Sequence, residues 1–186
     1  MNPLRKESTE GNKADQLRQA FDRSFAMPPS MSSPEDEDLL MIRVAGDPYA
    51  IHLLDIAEIV TDRRVVSIPA VTPPLLGLAG IHGSIVPVFG LASILGYGSD
   101  PVSPRWMILC GSEEPIALAF SDFEGHLRLP TSALHADDNV GATHEHVKYL
   151  NQVASTPDGI RAVVSIPLIM AAIRNRINQH RPKKDS

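Results

Sequence analysis

The sequence contains one cysteine, Cys110, among 186 residues. A lone thiol excludes an intrachain disulfide and a metal cluster of several thiolates, and such scarcity is typical of a reducing compartment. Cys110 ends the apolar run Met107 to Leu109, where a buried, unreactive thiol is the usual outcome. The sequence also lacks an apolar run of about 20 residues, so no membrane-spanning helix is predicted. The polar N-terminus does not resemble a signal peptide, and we expect a cytoplasmic protein.

Positive charge is also scarce, because 17 Lys and Arg residues face 22 Asp and Glu residues, for a net charge of −5. Nucleic-acid binding needs a clustered basic surface, so no nucleic-acid partner is expected. The basic residues that do cluster lie near the C-terminus: Arg174, Arg176, Arg181, Lys183 and Lys184. A predicted helix end explains them, since cations are favourable there; an anionic partner is the alternative.

Motifs for cofactor binding and catalysis are missing as well. Gly77, Gly80 and Gly83 do not have the G-x-G-x-x-G spacing, and no P-loop Lys-Ser/Thr pair is present. We predict instead that Gly77 and Gly80 permit close packing and that Gly83 forms a left-handed turn. His144 and His146 could hold a metal, but their spacing is not that of a zinc site. We therefore expect no enzyme activity, cofactor or metal, with a small metal-dependent enzyme as the alternative.

Residues 1–38 differ in composition from the rest of the chain. Residues 15–25 carry Leu17, Phe21 and Phe25 at a helical spacing, which predicts a short amphipathic helix. Three prolines and an acidic run follow in residues 26–38, a composition typical of a linker. We expect residues 1–38 to be a flexible N-terminal extension and linker, because so short a helix is marginal alone in water.

From Leu39 onward, short apolar runs alternate with turn signals, which predicts a mainly β domain over residues 39–180. The predicted strands are 39–44, 49–53, 65–68, 77–81, 85–88, 105–110, 115–120, 123–129, 147–154 and 160–164. A weak repeat at an offset of about 66 residues relates Met41-Ile42 to Met107-Ile108. It predicts two β lobes, at about 39–100 and 101–165.

A helix over residues 166–178 is predicted after the second lobe, and a tail over 181–186. Ser165 is a favourable N-cap, and Pro167 is tolerated in the first turn. The apolar stripe expected to be buried consists of Ile166, Ile169, Met170, Ile173 and Ile177.

Glu58 and His82 are charged or titratable residues that each lie beside apolar ones. A carboxylate near an imidazole could form a charge-assisted contact that holds two elements together. Separate exposure of the two side chains to solvent is the simpler expectation.

Five short motifs follow one another along the chain: Tyr49-Ala-Ile, Ile56-Ala-Glu58-Ile, Ile68-Pro, Gly77-Leu-Ala-Gly-Ile-His-Gly83, and Pro87-Val with Leu95-Gly96. Their order and spacing, rather than any one of them, resemble the CheW family of chemotaxis coupling proteins. The resemblance runs from about Leu39 to Ile177. It implies two five-stranded SH3-like barrels side by side, with a C-terminal helix.

The resemblance also implies a non-enzymatic adaptor that links chemoreceptors to a CheA-type histidine kinase. Its expected partners are the regulatory domain of that kinase and the cytoplasmic tip of methyl-accepting chemoreceptors, which would bind in a groove between the barrels. Other CheW-like proteins are further candidate partners. Such an adaptor would be cytoplasmic and recruited to receptor arrays at the inner membrane without inserting into it.

Four residues are expected to bind a partner by this resemblance. Ile56 and Glu58 match the family's apolar-x-Glu position, and Ile81 and His82 match its Leu-Arg position before the turn glycine. The chain departs from the family pattern at Gly80, His82, Gly90 and Ala92. These departures favour an alternative, a divergent CheW-like module of a non-standard chemosensory pathway that binds the kinase or another partner but not receptors.

Overall fold

The computed structural model describes residues 35–69, 73–98, 104–136 and 147–179. Twelve strands lie in these ranges: β1 (Asp36–Val44), β2 (Asp47–His52), β3 (Glu58–Thr61), β4 (Val65–Val66), β5 (Leu75–Ile81), β6 (Ser84–Gly90), β7 (Trp106–Cys110), β8 (Ile116–Phe120), β9 (Asp122–Pro130), β10 (Leu134–Ala136), β11 (Leu150–Thr156) and β12 (Gly159–Val164). The helices are α1 (Leu91–Ile94) and α2 (Ile166–Gln179), and 3₁₀ turns span Leu53–Asp55, Thr131–Ala133 and Val147–Tyr149.

The described strands form two six-stranded sheets. The first sheet has the order β10-β11-β12-β2-β1-β9, and the second has the order β3-β7-β8-β6-β5-β4. Among these strands, β2 pairs with β12 and β6 pairs with β8 in parallel, and the other pairs are antiparallel. The predicted mainly β fold with a C-terminal helix is confirmed. Each sheet has six strands instead of the five predicted, because β3 and β10, which are absent from the predicted strands, each add one at an edge.

The two sheets repeat one topology. If β1–β6 and α1 are matched in order to β7–β12 and α2, the strand order of one sheet becomes that of the other. The halves exchange their leading hairpins, since β1–β2 pairs with β9 and β12 while β7–β8 pairs with β3 and β6. Neither sheet is therefore continuous in sequence, unlike the lobes predicted at 39–100 and 101–165. The chain crosses between sheets only after the two leading hairpins, that is, after β2 and after β8, and no local signal marks either crossing.

The first strand begins at Asp36, so residues 36–38 belong to β1 and not to the predicted linker. Cross-strand pairing explains this, because Asp38 accepts hydrogen bonds from Arg128 Nε at 2.8 Å and Nη2 at 2.9 Å on β9. His126 Nε2 is also 2.8 Å from the Asp38 carboxylate. Residues 1–34, including the helix predicted at 15–25, lie outside the described residues.

Buried apolar side chains form three clusters in the described part of the chain. One cluster consists of residues on the first sheet, among them Leu39, Met41 and Val163. Another consists of residues on the second sheet, among them Ile81, Val88 and Met107. The third, which we call the central core, lies between the sheets and under α2. Its members are Leu40, Ile42, Val44, Tyr49, Ile51, Phe89, Leu91, Ala92, Ile94, Leu95, Ile108, Cys110, Ile116, Leu118, Phe120, Tyr149, Val164, Ile166, Ile169, Met170 and Ile173.

The apolar stripe predicted for α2 is buried over its first two turns. Ile166, Ile169, Met170 and Ile173 belong to the central core, as expected. Ile177 is instead 49% exposed, so the prediction that it is buried is wrong. Ile177 lies where α2 borders an open groove beside the second sheet, which leaves its side chain exposed.

Gly77 and Gly80 lie on the same strand but differ in their surroundings. A Cβ atom on Gly77 would lie 2.2 Å from the backbone oxygen of Val66, and Gly77 has a φ of +149°. A Cβ on Gly80 would meet nothing within 4 Å. The predicted close packing is therefore confirmed at Gly77 and wrong at Gly80.

The different surroundings of Gly77 and Gly80 make alanine substitutions at these two positions a matched pair. We expect Gly77→Ala to lower the free energy of unfolding by about 2 kcal/mol or more, because the added methyl group strains β5 against β4. Gly80→Ala should change it by less than about 1 kcal/mol. Urea denaturation of the two variants beside the wild type measures both values. Equal effects would show that the contact with Val66 does not constrain the strand.

Glu124 on β9 connects three strands of the first sheet. Its carboxylate accepts a hydrogen bond from Arg43 Nε on β1 at 2.5 Å and another from Arg161 Nη1 on β12. The Arg161 side chain is only 8% exposed. Burial acts to raise the pKa of Glu124, but the hydrogen bonds from Arg161 and Arg43 outweigh it and hold the pKa below its ordinary value.

We expect Glu124→Gln to destabilise the fold by about 1–3 kcal/mol at neutral pH, since it leaves the buried guanidinium of Arg161 without a carboxylate. A lowered folded-state pKa stabilises the fold above the unfolded pKa of about 4.3, and this stabilisation is lost as the pH falls through the folded value. The difference in the free energy of unfolding between Glu124→Gln and the wild type should therefore become smaller as the pH falls. Unfolding curves from about pH 7 to pH 3 measure it, with the exposed Glu113→Gln as control; an unchanged difference would contradict the assignment.

Candidate functional site

The hairpin of β5 and β6 closes with a two-residue turn, His82-Gly83, because Ile81 pairs directly with Ser84. His82 has a φ of +49° and Gly83 a φ of +78°. Positive values at both positions are those of a type I′ turn, which matches the twist of the flanking strands. The predicted left-handed turn at Gly83 is confirmed. Ile81 is 2% exposed in the core of the second sheet, so it anchors the turn at its base.

Glu58 is the first residue of β3, at the other end of the second sheet's strand order. It pairs with Leu109 on β7, and the preceding Ala57 N–H donates to the Leu109 carbonyl at 2.8 Å. Ile56 is partly buried against the central core. These contacts fix the backbone of residues 56–58 and direct the Glu58 side chain to the surface.

The structure brings Glu58 and His82 into contact. His82 Nε2 lies 2.9 Å from Glu58 Oε1 and 2.8 Å from Oε2. Because an ionised carboxylate only accepts hydrogen bonds, Nε2 carries the proton that is donated. The expected contact between the carboxylate and the imidazole is therefore confirmed, and the simpler expectation that the two side chains are exposed separately is wrong. Both groups remain open to water, since the side chains are 62% and 41% exposed. We call this pair with the turn that carries His82 the Glu58–His82 surface.

A projecting apolar side chain lies on the same hairpin. Ile85, on β6 directly after the turn, is 76% exposed and pairs across the hairpin with Gly80. The absence of a side chain at Gly80 leaves the flank of Ile85 uncovered. The sequence pattern places residue 85 in a strand without indicating this exposure, because alternation alone does not say which face is covered.

An apolar groove of about 290 Å³ begins at Ile85 and runs between the second sheet and α2. Its apolar lining comes from Ile85 and Pro87 on β6, Pro115 and Ile116 at the start of β8, and Met170, Ile173 and Ile177 on α2. Glu114 and Arg174 also line it. The exposure of Ile85 and Ile177 is thus explained by their position on two sides of one groove.

A second concavity of about 470 Å³ lies on another side of α2. Pro73, Pro74, Ser93, Ile94 and Tyr149 line it together with the basic residues Lys148 and Arg176. The central core fills the space between the two sheets. Both concavities border α2.

The four departures from the family pattern fall into two environments. Gly80 and His82 are exposed at the hairpin. Gly90 and Ala92 are instead buried where α1 begins, so these two positions affect packing and not an exposed surface. Only the first two departures bear directly on a surface that a partner could touch.

The residues considered above for reactivity or metal binding are either buried, as Cys110 is, or lie outside the described ranges, as His144 and His146 do. Burial raises the pKa of Cys110 to about 12, which keeps this thiol protonated at neutral pH. No three His, Cys, Asp or Glu side chains in the ranges given above are grouped to hold a metal ion. His144 and His146, the predicted alternative ligands, lie outside those ranges. None of the described helices is long and apolar enough to cross a bilayer.

Comparison with known proteins connects this geometry to a family. The model of the CheW-like domain matches residues 38–174. Among solved structures, the chain is similar to the scaffolding protein TtCheW from Thermoanaerobacter tengcongensis, with a TM-score of 0.61, 17% sequence identity, and coverage of 70% of this chain and 89% of that one. At that identity the likeness shows the fold alone. The comparison with curated proteins finds no match.

The match to the family model covers well over half of the chain, and the two repeated sheets agree with the matching solved structure. The resemblance drawn from the five motifs is confirmed. This chain belongs to the CheW-like domain family, a family of scaffolds and adaptors rather than of catalysts.

Proposed function

We propose that this protein is a chemotaxis coupling scaffold that joins chemoreceptors to a CheA-type histidine kinase. The observation that carries the proposal is the Glu58–His82 surface. Two residues matching family positions, 24 apart in sequence, meet through hydrogen bonds and stay exposed on a rigid turn and strand. Exposed, fixed polar pairs of this kind are suited to recognition of another protein.

The four predicted partner-binding residues take different parts in this proposal. Glu58 and His82 contact the partner, because their side chains reach the surface. Ile81 is buried beneath the turn and Ile56 is partly buried beneath β3. These two residues therefore position the polar pair instead of touching a partner over a large area.

The receptor tip is proposed to dock beside this surface. A helical hairpin presents apolar side chains that an apolar groove accommodates, and the groove from Ile85 to Ile177 offers such a lining. The regulatory domain of the kinase, itself CheW-like by the family resemblance, is proposed to dock on a barrel edge. No bond is made or broken in either step. The scaffold would act in the cytoplasm, at receptor arrays on the inner membrane.

Titration of the purified protein tests the proposal directly. The probes are a cytoplasmic tip fragment of a chemoreceptor and the regulatory domain of a CheA-type kinase, both from the same organism. We expect both to bind with dissociation constants below about 100 μM, a range suited to an assembly built on many weak contacts. Failure of both probes to bind at several times that concentration would contradict the proposal.

A second candidate follows from the two exposed departures. Gly80 and His82 alter the surface beside the groove, which favours a divergent module that binds the kinase or another CheW-like protein but not receptors. The same titrations separate the two candidates. Binding of the kinase domain without binding of the receptor tip selects the second.

We expect Glu58→Ala to weaken binding of the partner that covers this surface by about 1–2 kcal/mol, or roughly five- to thirtyfold in dissociation constant. The variant should keep the wild-type thermal transition, because the Glu58 side chain is 41% exposed. Calorimetric titration and a thermal melt measure the two effects, with Asp158→Ala in the exposed β11–β12 turn as control. Loss of the thermal transition would make Glu58 a structural residue instead.

A further inference from the structure

The Glu58–His82 contact has a geometry that survives a change of charge. Nε2 lies within 2.9 Å of both carboxylate oxygens, so it donates its hydrogen whether the imidazole is neutral or protonated. The second proton must therefore add at Nδ1. The pair carries a charge of −1 when His82 is neutral and no net charge when it is protonated, while the contact itself stays in place.

His82 contacts a charged group through its hydrogen bonds to the Glu58 carboxylate. Its neighbours along the hairpin, Gly80 to Ile85, contain no other titratable side chain. Across β3, the residue paired with Glu58 is Leu109. The next charged group after β3, Asp62, is paired with Arg105 at 3.2 Å. In the described residues, Glu58 is thus the charged group that contacts His82.

Both side chains are open to water in the free protein, with 62% of His82 and 41% of Glu58 exposed. The imidazole of His82 is therefore accessible to solvent. A histidine side chain ordinarily changes charge between about pH 5 and pH 8. A partner that covers the surface removes the pair from water, and burial of a net charge costs more than burial of a neutral ion pair.

We infer that partner binding at the Glu58–His82 surface is coupled to the uptake of one proton by His82, so that this scaffold binds more tightly in mildly acidic than in mildly alkaline solution. The inference rests on the proposed function and adds that pH regulates the affinity of the scaffold for its partner. A partner that buries the pair selects its protonated form, and linkage then requires that affinity rise as pH falls.

The experiment titrates the full chain with the receptor tip fragment and with the kinase regulatory domain at about pH 6, 7 and 8. For the receptor tip, which is proposed to dock beside this surface, we expect the affinity to be about three- to tenfold higher at pH 6 than at pH 8. Calorimetry in buffers of different ionisation enthalpy should show an average uptake of about a quarter to a half of a proton on binding between pH 6 and pH 8. Equal affinity across this range would overturn the inference.

His82→Arg is the matched variant, because arginine keeps a permanent positive charge beside Glu58. Its affinity should be independent of pH and close to the wild-type value at pH 6. His52 and His126 also contact carboxylates, and they remain in this variant. Retention of the full pH dependence by His82→Arg would assign it to those residues and overturn the inference.

His82→Asn keeps the inference testable if arginine disturbs the turn, since asparagine tolerates positive φ well. Its affinity should be independent of pH and no higher than the wild-type value at pH 8. Absence of binding by the wild type and by both variants at every pH would contradict the proposed function. Binding that occurs without the predicted pH dependence would contradict the inference alone.

Discussion

The central core is the constraint on which the rest of the structure depends. Successive residues of β1 serve two clusters, since Leu39 and Met41 pack within the first sheet while Leu40 and Ile42 pack between the sheets. All five residues of β8 are likewise buried. The exchanged hairpins are therefore covered on both faces, and each joins its own sheet to the layer between sheets. Burial of apolar surface on this scale is the main force that holds the two repeats together.

The Glu58–His82 surface depends on the same arrangement. Glu58 lies on β3, which is held by β7 of the exchanged hairpin, and His82 lies on the tight turn of the next hairpin. The two elements come within hydrogen-bond distance because the strands between them curve into a barrel-like sheet. A polar pair supported in this way keeps its position before any partner arrives, and such preorganisation lowers the entropic cost of binding.

Local signals were sufficient for most strands and for α2. Alternating apolar residues and turn residues such as those at 156–159 locate the hairpins, and an i, i+3, i+4 pattern locates the helix. Local signals do not predict which strands pair with one another. No residue near β2, for example, indicates that β12 pairs with it in parallel. The same limit applies to Gly80, whose open surroundings depend on distant strands, and to Ile177, whose exposure depends on how α2 lies against the second sheet. The contact of Glu58 with His82 stayed open for this reason.

Hairpin exchange has a consequence for the integrity of the backbone. A cut between residues 98 and 104 would leave two fragments, each with a hairpin whose partner strands are on the other. Neither fragment alone would contain all the strands of either sheet. Each sheet is therefore held together by pairing between strands from both halves of the chain.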